Sequence, residues 1–373
     1  MRDLMLRLLD GDIRCTRIFD VADTIDLEKC RYRIAAGGGD IRRLSLRREG
    51  SEYIQLSDPP LLISLGARQF VVAGASREVK LDAALFHHGA ISISVRVPLT
   101  RGSTVEELIP LADELYDSKS LDALALEEVN KLRSTLGDAV EAGHLWEQNE
   151  SYTVIFAREF EGAPSAEVVL RSPGIARLLL GEQREKSLST LEEAEVLEHH
   201  FSYTPNDLVL IEWNAALVYE PSGSEDIVDL LEIANAQLLE LRYYDNVLDA
   251  ELQRMYGVVG KQDNGNYLLK SPYKTAIREQ LRTLIELSEF IERVENATKI
   301  VGDVYLARVY ESALKQLRIS KWTEQVSRKH KLLQQIYGLL KGEVDTGRAL
   351  TLETMVVLLI LIEILMAVWR VGH

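Results

Sequence analysis

The chain has 373 residues, enough for a large core and for two or three domains, with 46% apolar and 27% charged residues, as in an ordinary folded protein. A net charge of −15 argues against nonspecific nucleic-acid binding, since a phosphate backbone would be repelled without a segregated basic face. The two cysteines, Cys15 and Cys30, form no CxxC pair, which argues against a zinc site or a disulfide framework and suits a reducing compartment. Charges interrupt the opening MRDLMLRLLDGD every few positions, so no secretory segment is expected there and the body is expected to stay in the cytoplasm.

The first hundred residues favour strands. Arg14 to Val21 alternates in part, Leu61 to Leu65 and Phe70 to Ala73 are short apolar runs, and Ile91 to Val97 alternates strictly. Asp23 to Ala36 reads as a helix closed by Gly37-Gly38-Gly39, which lacks the Lys-Ser/Thr of a phosphate loop and reads as a turn. The basic run Arg42, Arg43, Arg47, Arg48 reads as the solvated side of an edge strand. Thr104 to Leu136 predicts one or two acidic helices with Ser103 or Thr104 as N-cap. A strand is expected at Tyr152 to Phe156, helices at Ser165 to Leu180 and Leu191 to His200, and a strong strand from Asp207 to Tyr219, ended by Pro221-Ser-Gly-Ser.

From Glu225 the pattern turns helical. Ile227, Leu231, Ala234, Leu238, Leu241, Leu248, Leu252, Met255 and Val259 follow heptad spacing with Asp245 at the missing step. Pro272 opens a second predicted helix, and Lys321 to Leu340 gives a third, with Lys329 interrupting its stripe. Short polar turns between them predict antiparallel packing as a hairpin or bundle. The final Leu350 to Val371 is uncharged except for Glu353, Glu363 and Arg370, long enough as a helix to be read as a single-pass tail anchor at the cell membrane. A helix buried in an oligomer core is the competing reading of the same segment, kept open by Glu363.

No HExxH, GxSxG, GxGxxG or Walker loop occurs, and the doublets His87-His88 and His199-His200 diverge on any regular element, so no catalytic residue, metal site or cofactor is assigned. Polar residues singled out for structural roles are Glu212, Trp213 and Asn214 inside the apolar strand, Arg242 and Asp245 as an i, i+3 pair, and Ser327 and Arg328 on the third helix. A polar residue in a helical seam sets pairing more often than it catalyses.

The strand Asp207 to Leu217, the segment Leu239-Glu-Leu-Arg-Tyr-Tyr-Asp245, the element Val326-Ser-Arg-Lys329 and the ending from Leu352-Glu353 through Ile362-Glu363 occur in an order that resembles the "required for meiotic nuclear division" family, over roughly residues 200 to 373. The resemblance implies an α/β head, a helical coiled-coil stalk and a C-terminal membrane helix, with Glu353 and Glu363 among its motif residues. It implies no enzyme chemistry and offers, by analogy, a role in supporting translation.

The expectation is therefore an α+β protein: a mixed α/β head over 1–222, a long-helix region over 223–345 and a hydrophobic helix over 349–371. Its expected function is a membrane-anchored, self-associating scaffold or adaptor, not an enzyme. Its expected partners are copies of itself, a lipid bilayer through residues 350–371 and a protein or ribosomal partner, with no direct nucleic-acid contact. The alternative is a small-ligand sensor or enzyme around Glu212 and Trp213.

Overall fold

The computed structural model describes residues 6–45, 58–183, 188–259, 288 and 304–371. It is α+β, built on a large mixed sheet with several helices. Two compact units are resolved, one comprising Met1–Tyr243 with Val294–Trp322, the other Tyr244–Arg293 with Thr323–His373. The division falls inside a helix, at Tyr243/Tyr244, and each unit is described by itself.

In the first unit the central strand is β1 (Arg7–Asp20), with β2 (Thr24–Ile25), α1 (Leu27–Ala36), β3 (Ile41–Arg43), β4 (Leu61–Val72), β5 (Ala75–Leu85), β6 (Ala90–Pro98) and β7 (Ser103–Thr104) following. The two short runs expected between Leu61 and Ala73 are one strand: β4 continues through a bulge at Ser64/Gly66, where Gly66 takes φ +86°. Asp26 caps α1 by accepting from the Lys29 N–H, so the helix starts later than Asp23. Arg42 and Arg43 lie exposed on β3, which edges the sheet as the basic run suggested; Arg47 and Arg48 fall outside the described residues.

The predicted acidic helix is two helices, α2 (Val105–Tyr116) and α3 (Lys119–Leu136), parted at Asp117-Ser118. Thr104 and Glu107 form a reciprocal capping box at α2. After them come β8 (Val140–Glu141), β9 (Asn149–Phe160), α4 (Ala166–Leu170), α5 (Ile175–Leu180), α6 (Thr190–Glu198), β10 (His200–Phe201), β11 (Leu208–Ile211) and β12 (Ala215–Tyr219). The strand order is β10-β11-β12-β9-β1-β6-β5-β4-β3, with β7 on β1; β12 joins β9 in parallel and the other pairings are antiparallel. The long strand expected over Asp207 to Tyr219 is corrected to a hairpin. Its polar Glu212-Trp213-Asn214 is the turn, stitched by the Glu212 N–H donating to the Ala215 carbonyl at 2.8 Å.

Both faces of β1 are covered, and alternation sends successive side chains to opposite layers. Arg17 reaches the α2–α3 side, donating to Asp122 at 2.6 Å, whereas Arg14 points the other way to Glu225. Cys15 and Cys30 are buried free thiols, both held above the usual thiol range to about 11 by burial. A tight turn at Gly89 closes the β5–β6 hairpin at φ +93°, and a Cβ there would sit 1.7 Å from the Ala22 carbonyl oxygen. Gly89→Ala is expected to cost about 3 kcal/mol or more in urea unfolding. Gly38→Ala, also at positive φ but facing open space, is expected to cost only ~1 kcal/mol.

Then come α7 (Asp226–Val259), α8 (Val304–Gln316) and α9 (Ile319–Val371). The second predicted helix, from Pro272, lies largely outside the described residues. In the second unit, Asp245 of α7 meets Gln325 and Lys329 of α9, and Glu251 accepts from Tyr337. Residue numbers rise together along both helices, so α7 and α9 run in parallel, while the antiparallel packing expected between successive helices involves the second one, which lies largely outside the described residues. From the Asp245–Lys329 level α9 outruns α7 by ~40 Å at ~1.5 Å per residue.

Among the described residues no helix is long and apolar enough to cross a membrane. That finding corrects the tail anchor over 350–371 and the single-pass placement at the cell membrane, and the expected bilayer contact falls with them. Glu353 and Glu363 are exposed, and only nine uncharged residues, Thr354–Ile362, lie between them. Such a run gives ~14 Å of helix against a hydrocarbon layer of ~30 Å.

Candidate functional site: a charged seam under the first long helix

Alternation along β1 places Asp10, Asp12 and Arg14 on one face, beside Arg158 of β9 and Arg96 of β6. Arg158 grips Asp10 in a bidentate pair at 2.7 and 2.9 Å and reaches Asp12 at 2.8 Å. Arg14 in turn donates to Asp12 at 2.7 Å and to Glu225 at 2.8 Å, with its guanidinium 4.4 Å above the Phe156 ring. Glu225, just before α7, is also forked by Arg96 at 2.7 and 3.1 Å, and Arg96 pairs with Asp82 at 2.7 Å. Acid and base thus alternate from Asp10 to Asp82 across four strands and the start of a helix. Burial pushes the Glu225 carboxyl up, but Arg14 and Arg96 outweigh it and hold it at about 2.

Asp229 and Glu232 follow Glu225 at i+4 and i+7, on the same side of α7. They line a cavity of about 240 Å³ with Arg14, Arg42, Asp82 and Arg96. Their environment is the reverse of Glu225's. Burial, then the charges of Glu232 and Glu225, raise Asp229 to about 8; burial also raises Glu232, although the nearby Ser92 hydroxyl opposes it. The only nearby cation without an ion pair to another described residue is Arg42, at the edge strand.

A second polar group sits farther along α7. His144 bonds Asp20 closely, lies 3.9 Å from Asp23 and stacks on Tyr243 with ring centroids 5.0 Å apart. Burial disfavours its imidazolium, but the Asp20 carboxylate outweighs that and raises its pKa. Neighbouring Arg242 pairs closely with Glu150 and donates to Gln148 at 3.0 Å, so its expected pairing with Asp245 is corrected.

The residues singled out from the sequence do not converge. Trp213 is exposed at the hairpin tip with the Arg318 guanidinium 5.6 Å from its ring centre, Glu212 bonds the Trp213 N–H at 3.0 Å, and the Asn214 carbonyl accepts from Thr153. Asp245 belongs to the second unit, where Lys329 holds it at 2.7 Å and Asp249 at 2.6 Å. Ser327 is half-buried, Arg328 is exposed and pairs with Glu324 on its own helix, and Glu353 and Glu363 are exposed. Among the described residues no three His, Cys, Asp or Glu side chains group as metal ligands. The seam itself was missed; its signals were the alternating charges at 10, 12 and 14 and the acidic i, i+4, i+7 row opening an apolar helix.

Comparison with known proteins matches residues 10–225 to a family described as "Uncharacterized protein MJ0711, N-terminal domain". Uncharacterized protein MJ0711 of Methanocaldococcus jannaschii is 25% identical over 225 residues, covering 60% of this chain and 67% of that protein. No solved structure matches. The matched span contains the sheet except the first three residues of β1, includes the strand part of the seam, and ends at Glu225.

Proposed function

The chain belongs to the family of the MJ0711 N-terminal domain, and from that premise we propose that it is a self-associating scaffold or adaptor whose assembly element lies beyond the family domain, in α9. One observation carries this reading: Met355 to Ile362 are eight consecutive apolar residues, each between 41% and 63% exposed, with Ile364, Met366 and Trp369 exposed beyond them. At ~100° per residue such a run covers the full circumference of a helix, and a helix apolar all round is stable only when enclosed. The occupant we assign is further copies of α9. Eleven exposed apolar side chains are thus available to such an interface, which needs ~800 Å² from each partner.

Asp245 and Lys329, each an interruption in its own apolar stripe, support the same reading, because a polar pair within a seam fixes helix register. A coiled-coil stalk, and a role in translation or stress response, rest on the resemblance of residues 200 to 373 to the "required for meiotic nuclear division" family, most of which lies outside the matched domain.

Light scattering on the full chain tests the proposal. The native protein is expected to be oligomeric at micromolar concentration. Leu358→Asp with Ile362→Asp is expected to return it to a monomer of unchanged circular dichroism, since each buried carboxylate costs ~2–3 kcal/mol. A monomeric native chain, an oligomer indifferent to both substitutions, or a native chain that floats with lipid vesicles in place of self-associating would each overturn it.

A further inference from the structure

We infer that the cavity between β5, β6 and α7 is a binding site for a small organic cation, a primary amine or guanidinium compound, received by the carboxylates of Asp229 and Glu232. The argument begins with what the cavity leaves unmatched. The ion pairs of Arg14 and Arg96 are with Asp12, Glu225 and Asp82, so neither guanidinium pairs with the two remaining acids. Asp229, half-buried, makes no side-chain hydrogen bond or ion pair with a described residue, and half-buried Glu232 has only the Ser92 hydroxyl nearby. Buried carboxylates are ordinarily paired or hydrogen-bonded, and an unmatched pair costs stability.

The void beside them has a size and lining that suit the missing charge. At about 240 Å³ it holds several non-hydrogen atoms, more than a single ion requires. Ser64, Ser94 and Asp40 add acceptors around the acids, while Ala84 and Val228 offer short apolar walls for an alkyl stem. Every titratable group facing Asp229 is accounted for: Glu225 and Glu232 on its own helix, Arg14 on β1, Arg42 and Asp40 at the edge, Asp82 on β5 and Arg96 on β6. With both acids ionised the cavity holds five carboxylates against three guanidiniums, two positive charges short, and one of the two is met when Asp229 keeps its proton. A bound cation supplies that charge and displaces the proton that Asp229 otherwise holds at neutral pH. The inference is independent of self-association, since no residue of α9 takes part.

Isothermal titration of the full chain with agmatine, putrescine and arginine, and with glutamate as control, tests it. The amines are expected to bind, and agmatine against arginine reports whether Arg42 adds a carboxylate contact. Titration in buffers of different ionisation enthalpy is expected to reveal proton release near pH 7. Asp229→Asn and Glu232→Gln should each weaken binding by at least about tenfold. Ala84→Leu, which fills the void and leaves every charge in place, should abolish it even if the acid variants fold poorly. Absence of heat with all three amines up to about 10 mM, equal binding of glutamate, or undiminished binding by Ala84→Leu would each overturn the inference.

Discussion

Glu225→Ala is expected to destabilise the protein by ~3 kcal/mol, because it removes the carboxylate shared by two guanidiniums, one of them with a side chain only 2% exposed, and leaves Arg14 with Asp12 alone and Arg96 with Asp82 alone. The same carboxylate should be visible in the acid limb of the stability curve. Its native pKa of about 2 lies below the ordinary 4.5, so between those values the unfolded chain binds more protons. Its contribution is therefore complete above pH ~4.5 and is lost as pH falls toward 2, a span worth ~3 kcal/mol. Urea unfolding from pH 2.5 to 6 should show this slope in the native protein and its loss in Glu225→Ala. A cost below ~1 kcal/mol would mean that water, not the seam, solvates Arg14 and Arg96.

Asp229→Asn is expected to do the opposite and raise stability at pH 8, by on the order of 3 kcal/mol. Here the native pKa, about 8, is above the ordinary 3.8, so the native state binds more protons across that window. Stability then falls as pH rises from about 4 to about 8, and the substitution should flatten that limb. The two carboxylates stand four residues apart and tilt the curve in contrary directions, with their contributions meeting between pH 4 and 5. A variant that is stabler yet no longer binds agmatine would mark Asp229 as kept for a ligand at the expense of the fold. Unfolding midpoints of both proteins at pH 5 and pH 8 suffice; an equal change at the two pH values would refute the assignment of the raised pKa.

Local pattern made much of the fold legible. Strict alternation located β6, the Thr104 cap located α2, and the switch after Pro221 to heptad spacing located α7. Where the signal depended on partners, reading failed. Glu212-Trp213-Asn214 reads as a polar break inside one strand until β11 is seen to fold back on β12. His144 has no neighbour in sequence to suggest Asp20, which lies 124 residues away. Arg242 and Asp245 have the spacing of a surface pair, but Glu150 and Lys329 are better placed for each. The seam was hidden for the same reason: its seven charges come from β1, β5, β6, β9 and the start of α7, and no stretch of chain contains more than three. Apolar run length misled at the C-terminus, where Glu363 counted for too little.

The place of β1 has a consequence for how the protein is made. This strand is translated before every other described strand, yet one of its two long neighbours, β9, begins about 130 residues later. At ~5–20 residues per second the ribosome needs on the order of ten seconds to supply that neighbour. During the wait, half of the backbone groups of the innermost strand have no permanent mate, and Asp12 and Arg14 wait longer still for Glu225. Nascent chains should consequently stay protease-sensitive and dependent on holding chaperones until the sheet's far half has emerged, then gain resistance in one late step.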